Sequence, residues 1–475
     1  MSGPTLAAAV VAGLLLAACS ATPPGDADTS APPVTVEPPA PPSATPSWPS
    51  APAVPTGPLE ASVTEALDRL VASFGERALD HDALETVADS HDARIGWLLS
   101  DLLRFSAPGT TSAVAVGDAF VTLTGYDPRG DERFGHDDWL ASTNVLIGWD
   151  LPAHPGYREH KAAVFLPIEP AWEPFFADAD AAIDWRWLSW GGVFIDDREL
   201  GDERLCSRGC IPALDDPALA PASEGDWYAD DKTVFGVIVD GEAVAFPKHI
   251  MEVHEMVNLT IAGRRIGLPY CTLCGSAQAY LTDSVPAGVT TPVLRTSGLL
   301  SRSNKVMYDL VTRSAFNAFT GEAVSGPLQD VGLELEQIST VATTWGEWKA
   351  AHPDTRIVAE DGGIGRSYPD DPLGGRDLDG PIFPVGPIDP RLPAQAAVVG
   401  VIGPDGTAIA FPADQALAEL ASGGEVAIGT VEAYADGGGL RVRATGGGEL
   451  PAHASFWFAW SQFHPDTVLW SPVAR

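Results

Sequence analysis

The strongest constraint on how this chain folds is that its C-terminal half repeats itself. Val234-Phe235-Gly236-Val237-Ile238 leads through Asp240-Gly241 to Ala245-Phe246-Pro247, and Val398-Val399-Gly400-Val401-Ile402 leads through Asp405-Gly406 to Ala410-Phe411-Pro412. Each reads as strand, Asp-Gly turn, strand, the pattern of a β-hairpin. A second pair of matches follows. Trp345-Gly346-Glu347-Trp348 runs on to His352-Pro353-Asp354-Thr355, and Trp457-Phe458-Ala459-Trp460 runs on to His464-Pro465-Asp466-Thr467. Two Trp three apart with a His four further on share one helix face, and Pro then ends the helix. A chain that repeats a long, ordered pattern is built from repeated structural units. The expected copies span 234–358 and 398–470, inside a module covering 206–475. The second copy is shorter and lacks the middle of the first, which holds Cys271, Cys274 and Ser297 to Asp309. The matched His-Pro-Asp-Thr elements occur in both copies, so they are expected to be structural caps. Function is sought in what only one copy carries.

Upstream, Val63, Leu67, Leu70 and Val71, then Ile95, Leu98, Leu99, Leu102 and Leu103, recur at helical spacing. The segment 59–135 is therefore expected to be a small helical region. The segment 136–205 is rich in Trp and interrupted by Pro, which predicts irregular α+β structure with much buried aromatic surface. The fold class expected for the whole is α+β: a β-rich duplicated C-terminal module preceded by a small helical region.

The N-terminus predicts export. Leu6 to Cys19 is apolar and uncharged, too short for a span of roughly 20 residues, and ends in Leu16-Ala17-Ala18-Cys19. Small residues before a cysteine predict a lipoprotein signal peptide over 1–19, with Cys19 carrying the lipid (palmitate among its acyl chains) and anchoring the protein to the outer face of the cell membrane. No Lys or Arg precedes Leu6, so either the α-amino group supplies the positive charge or the true start lies elsewhere. Residues 20–58 are Pro, Ala, Ser and Thr with few large apolar groups, the composition of a disordered tether.

Charge narrows the partners. Against 28 Lys and Arg stand 64 Asp and Glu, a formal net charge of −36. That argues against nucleic acid and against direct adhesion to anionic headgroups. The membrane enters only through the lipid, leaving a protein or small molecule as partner. Apart from Cys19, the cysteines form two close pairs, Cys206-x-x-x-Cys210 and Cys271-x-x-Cys274. In an oxidising envelope such pairs usually become disulfides.

Around the second pair the sequence resembles the domain of unknown function 3179 family. The resemblance rests on Pro269-Tyr270-Cys271-Thr272-Leu273-Cys274-Gly275-Ser276, preceded by Ile211 to Pro217, Ala245-Phe246-Pro247 and His254-Glu255-Met256-Val257-Asn258. It continues in Ser297 to Leu300, Ser303-Asn304, Met307-Tyr308-Asp309 and Trp345 to Thr355. It covers roughly 211–470, departing at Thr272, where the family usually has Pro, and at Phe246, where it usually has Tyr. No activity comes with it, so enzyme or not stays open. Members read as selenoproteins imply a redox role for one cysteine of the set.

Three chemistries are open to these residues. Cys271 and Cys274 can share one turn, with a thiolate stabilised by nearby donors, as a redox pair. The alternation from Ala277 to Leu281 predicts a strand after them, unlike a thioredoxin-type motif, which opens a helix. Alternatively Cys206, Cys210, Cys271, Cys274 and His254 form a metal site: four thiolates for zinc, or soft sulfurs with Met256 and Met307 for copper. Thirdly, the cysteines are staples in a non-enzymatic binding or scaffold module. His254 is a candidate base or ligand, or a structural helix-end His. Ser303, Asn304, Met307, Tyr308 and Asp309 are binding candidates. There is no nucleophile elbow, metalloprotease helix, phosphate loop or dinucleotide fingerprint. The Gly/Asp-rich stretch 361–375 lacks calcium-loop spacing and reads as a loop.

Overall fold

A computed structural model describes residues 48–202, 206, 208–378 and 380–472. Cys19, the segment read as a signal peptide and the first part of the expected tether lie outside the described residues. No helix among those described is long and apolar enough to cross a membrane.

The architecture is α+β, with helices first and β-sheets after. Helices Ala61–Gly75, His81–Asp89, Gly96–Arg104, Thr111–Thr124, Asp138–Trp149 and Tyr157–Phe165 pack around Leu67, Leu70, Leu98, Leu99, Phe120 and Leu146. Asp80, Thr110 and Asp137 accept from backbone N–H groups of the first turns of their helices, satisfying donors the helix leaves open. Helix thus continues well past 135. The Trp-rich segment is largely helical up to Ala177, with one short strand, Leu188–Trp190. Trp139 and Trp149 lie on helix Asp138–Trp149, whereas Trp185, Trp187 and Trp190 lie beyond the last helix of the segment. Residues 48–58 lie along this helical body. Trp48 meets Phe134 edge-on at 5.0 Å, Trp149 donates to the Pro49 carbonyl at 2.9 Å, and Arg94 donates to the Gly57 carbonyl at 2.9 Å.

The remaining chain forms five sheets. Two have the same construction. In the first, strands Thr233–Val239 and Glu242–Pro247 form a hairpin, helix Lys248–His254 follows, and much later strand Thr340–Thr344 pairs antiparallel with the first strand. Helix Trp345–Ala351 then leads to Arg356–Val358, which pairs parallel with the second strand. In the second, the same parts are Ala397–Ile402, Ala408–Pro412, helix Ala413–Ala421, Ala452–Phe456, helix Trp457–Phe463 and Val468–Leu469, with the same pairing directions. Asp240 and Gly241 both have positive φ, the two-residue turn whose twist suits a hairpin.

The shared motif has a physical reason. The indoles of Trp348 and Trp460 lie flat against Gly236 and Gly400, where a Cβ would come within 2.4 and 2.1 Å of the rings. Each indole N–H donates to the motif's own Thr, Trp348 to Thr355 and Trp460 to Thr467, both at 2.9 Å. His352 and His464 cover the same rings at 4.2 and 4.3 Å.

The copies differ in what joins helix to third strand. The second is not simply shorter there: it carries a four-stranded sheet over Val426–Leu450. The first carries the other two sheets, built mainly from Met256–Ile261, Arg264–Cys271, Ala279–Leu281, Leu294–Ser301 and Asn304–Asp309.

Candidate functional site

Cys271 ends a buried strand and Cys274 closes the turn that follows, its N–H donating to the Cys271 carbonyl at 3.2 Å. The chain then returns as a strand, with Ser276 opposite Cys271. The pair therefore sits on a β-hairpin turn and opens no helix. Gly275 has φ +56°, and a Cβ there would meet the Phe456 ring at 2.9 Å. Phe456 begins the helix turn of the second copy, and its N–H donates to the Cys274 carbonyl at 2.8 Å. The cysteine turn thus docks on the other copy.

Both thiols are free and buried, Cys271 3% and Cys274 0% exposed. Both converge on the Ser303 carbonyl, Cys274 Sγ at 3.0 Å and Cys271 Sγ at 3.8 Å. Cys274 Sγ also lies 3.4 Å from Ser303 Oγ, which donates to Gln462 Oε1 at 2.8 Å. Beside them is a buried ion pair. Lys305 Nζ contacts Glu255 Oε2 and donates to the Glu255 carbonyl, each at 2.7 Å, while Thr272 Oγ1 donates to Glu255 Oε1 at 2.7 Å.

These surroundings separate the two thiols. Burial alone pushes both up. At Cys271 the hydrogen bond from Cys274, with the Lys305 charge and backbone N–H, outweighs burial and the opposing Glu255 charge, and holds the thiol below its usual range. At Cys274 burial and the adjoining Cys271 push the thiol well up. Ionisation is therefore easier at Cys271 than at Cys274.

The other predicted residues serve different ends. His254 is 1% exposed and both its nitrogens are taken. Pro212's carbonyl can only accept, so Nδ1 donates to it at 2.7 Å and Nε2 accepts from Tyr368 Oη at 2.7 Å. Burial lowers its pKa to about 4. It is a neutral structural histidine with no free ligand atom. Met307 is core. Tyr308 Oη donates to the Asp196 carbonyl at 2.6 Å. Asp309 accepts from the Val293 and Thr312 N–H groups and fixes a turn. Asn304 Oδ1 accepts from the Lys305 N–H at 3.0 Å.

Cys206 and Cys210 are joined as a disulfide. Among the described residues the one His/Cys/Asp/Glu group close enough to hold a metal is Asp196, Cys206 and Cys210. Its two sulfurs are bonded to each other, and Asp196 is engaged by Arg198 and the Ala213 N–H. Cys206, Cys210, Cys271, Cys274 and His254 thus do not assemble: one pair is bonded, the other stands apart, and the histidine is occupied. A four-ligand zinc set is not formed, and Met256 and Met307 are packed in the apolar core.

Thr272, inside the Cys-x-x-Cys spacing, belongs to the site through Glu255, and so do Lys305 and Gln462, which spacing does not reveal. Gln462 comes from the second copy's helix and reaches the cysteines only through folding. A family model described as "Protein of unknown function (DUF3179)" matches residues 208–447. No curated protein and no solved structure matches the chain.

Proposed function

Since the chain belongs to the DUF3179 family, whose description assigns no activity, we propose from the site itself that Cys271 and Cys274 form a reversible dithiol–disulfide centre. The observation that carries this reading is two free sulfurs on one turn, gathered on the Ser303 carbonyl beside the Lys305–Glu255 pair. The Cys271 thiolate attacks a disulfide R–S–S–R and expels one thiolate. Cys274 then attacks the mixed disulfide, forming the Cys271–Cys274 bond and releasing the second thiol. The centre loses two electrons and the incoming disulfide gains them. Mass-tagging of cysteines after equilibration with glutathione tests this. Two tags in reduced buffer and none at this pair in oxidised buffer are expected. A pair that stays two thiols throughout, with Cys271→Ser costing only stability, makes it core packing and returns the scaffold reading.

Copper handling is the second reading, resting on the two adjacent soft sulfurs. Cu(I) titration that leaves both thiols equally open to tagging removes it. We also propose that the protein works at the outer face of the cell membrane, lipid-anchored at Cys19. The apolar run ending Leu16-Ala17-Ala18-Cys19 supports this. Incorporation of a labelled fatty acid, lost in Cys19→Ala, is the expected result; unlabelled protein overturns it.

A further inference from the structure

Four buried polar atoms on neighbouring strands have no hydrogen-bond partner among the described residues: Ser276 Oγ, Gln278 Nε2, His453 Nε2 and Ser455 Oγ. Their residues are 0–3% exposed. Strand alternation puts Ser276 and Gln278 on one face of their strand and His453 and Ser455 on one face of theirs, and the two strands are neighbours. Ser276 stands opposite Cys271, and Gln278 lies two residues further on the same side. His453 stands opposite Gly400, the floor on which Trp460 rests, and its ring is 5.7 Å from Trp460. Ser455 lies two residues along. The two strands run together where the Phe456 N–H meets the Cys274 carbonyl. Phe319, 4.9 Å from His453, belongs to the same apolar cluster as Cys271 and Cys274.

The architecture does not ask for these groups. In the first copy the residue opposite Gly236, in the place of His453, is Val341. An unmet buried polar group costs roughly 1–3 kcal/mol, and a row of them calls for an explanation. All four can donate. The Gln337 amide nitrogen lies 3.0 Å from His453 Nδ1, which therefore accepts, leaving the proton on Nε2. Burial holds that ring neutral. Gln278 offers an N–H, and each serine a hydroxyl. The site is donor-rich and uncharged, and the nearby Lys305 is committed to Glu255. A carboxylate would find no counter-charge there. The matching ligand is a neutral molecule with a strongly accepting oxygen and no proton to give.

We propose that this face binds the S=O oxygen of a small sulfoxide, which the Cys271–Cys274 dithiol reduces; this rests on the dithiol reading above. Cys271 sulfur bonds to the sulfoxide sulfur, the S–O bond breaks, and oxygen leaves as water, taking up the proton Cys271 released on ionising and the proton of Cys274. Cys274 then attacks Cys271, the bond to the substrate breaks with its electron pair staying on the substrate sulfur, and the disulfide closes. One sulfoxide and one dithiol give one sulfide, one disulfide and one water.

The test is a single turnover of the pre-reduced full chain, freed of reductant, with methyl phenyl sulfoxide. The expected result is one methyl phenyl sulfide per Cys271–Cys274 disulfide, with the rate about tenfold lower in Ser455→Ala, the loss of one hydrogen bond. Removing an unmet hydroxyl does not endanger the fold, which a thermal midpoint verifies, and Ser276→Ala repeats the test. A centre oxidised by glutathione disulfide but inert to the sulfoxide overturns this inference alone. A centre inert to both overturns the dithiol reading as well. Sulfoxide reduction at an unchanged rate in both serine variants overturns the donor face.

Discussion

The two copies of the repeated unit share a frame and differ in what they hold. In both, a Trp lies on a strand glycine, bonds to a Thr seven residues on and is covered by a His. Only the first copy carries the cysteine turn, and only the second supplies the groups that close it, Phe456 and Gln462. What the copies have in common is explained by packing. What they do not share is where chemistry is to be sought.

Matched substitutions test that division, and the largest effect is expected at its base. Trp348→Ala and Trp460→Ala should each cost roughly 3–5 kcal/mol in denaturant unfolding, since each empties a fully buried indole site. A large loss in one copy only would break the equivalence. Next comes Lys305→Met, which leaves Glu255 buried without its partner and should cost about 3 kcal/mol. It should also raise the pH at which Cys271 becomes reactive, read from the pH profile of oxidation by glutathione disulfide. An unshifted profile would detach Lys305 from the thiolate.

Acid should weaken the fold through the buried histidines. In the folded chain His254 sits at about 4 and His453 at about 3, against 6.5 without burial. Between those values and 6.5 the unfolded chain binds the extra protons. Their contribution is therefore complete above pH 6.5 and is lost as pH falls toward 4 and then 3, at roughly 1.4 kcal/mol per unit for each group. His453→Val, which copies the first unit's Val341, should remove part of that slope in urea midpoints compared at pH 7 and 4.5. The smallest effect is expected at Thr355→Val and Thr467→Val, about 1 kcal/mol each for one buried hydrogen bond, equal within error in both copies.

Much of this frame was legible in the sequence because it depends on local pattern: turns, strand alternation, and two Trp with a His on one helix face. The helices before 135 were legible for the same reason. The helical character of 138–165 was hidden by prolines and by aromatic residues on several faces. The site was legible only in part. Cys271 and Cys274 stood out by spacing, but Gln462 and His453 reach them from nearly two hundred residues away in sequence. That distance is spanned by pairing between the copies, which no local spacing encodes. The same limit allowed a five-residue metal set to be drawn from Cys206, Cys210, Cys271, Cys274 and His254, residues that the fold keeps apart.

If Cys271 and Cys274 form the reversible pair, Cys206 and Cys210 are its internal reference. Cysteine Cβ chemical shifts, read by NMR across a series of glutathione buffers, distinguish thiol from disulfide at each position. The expected result is that Cys271 and Cys274 move together and reversibly between the two states while Cys206 and Cys210 remain a disulfide. Four cysteines fixed in their starting states across the whole series would contradict it.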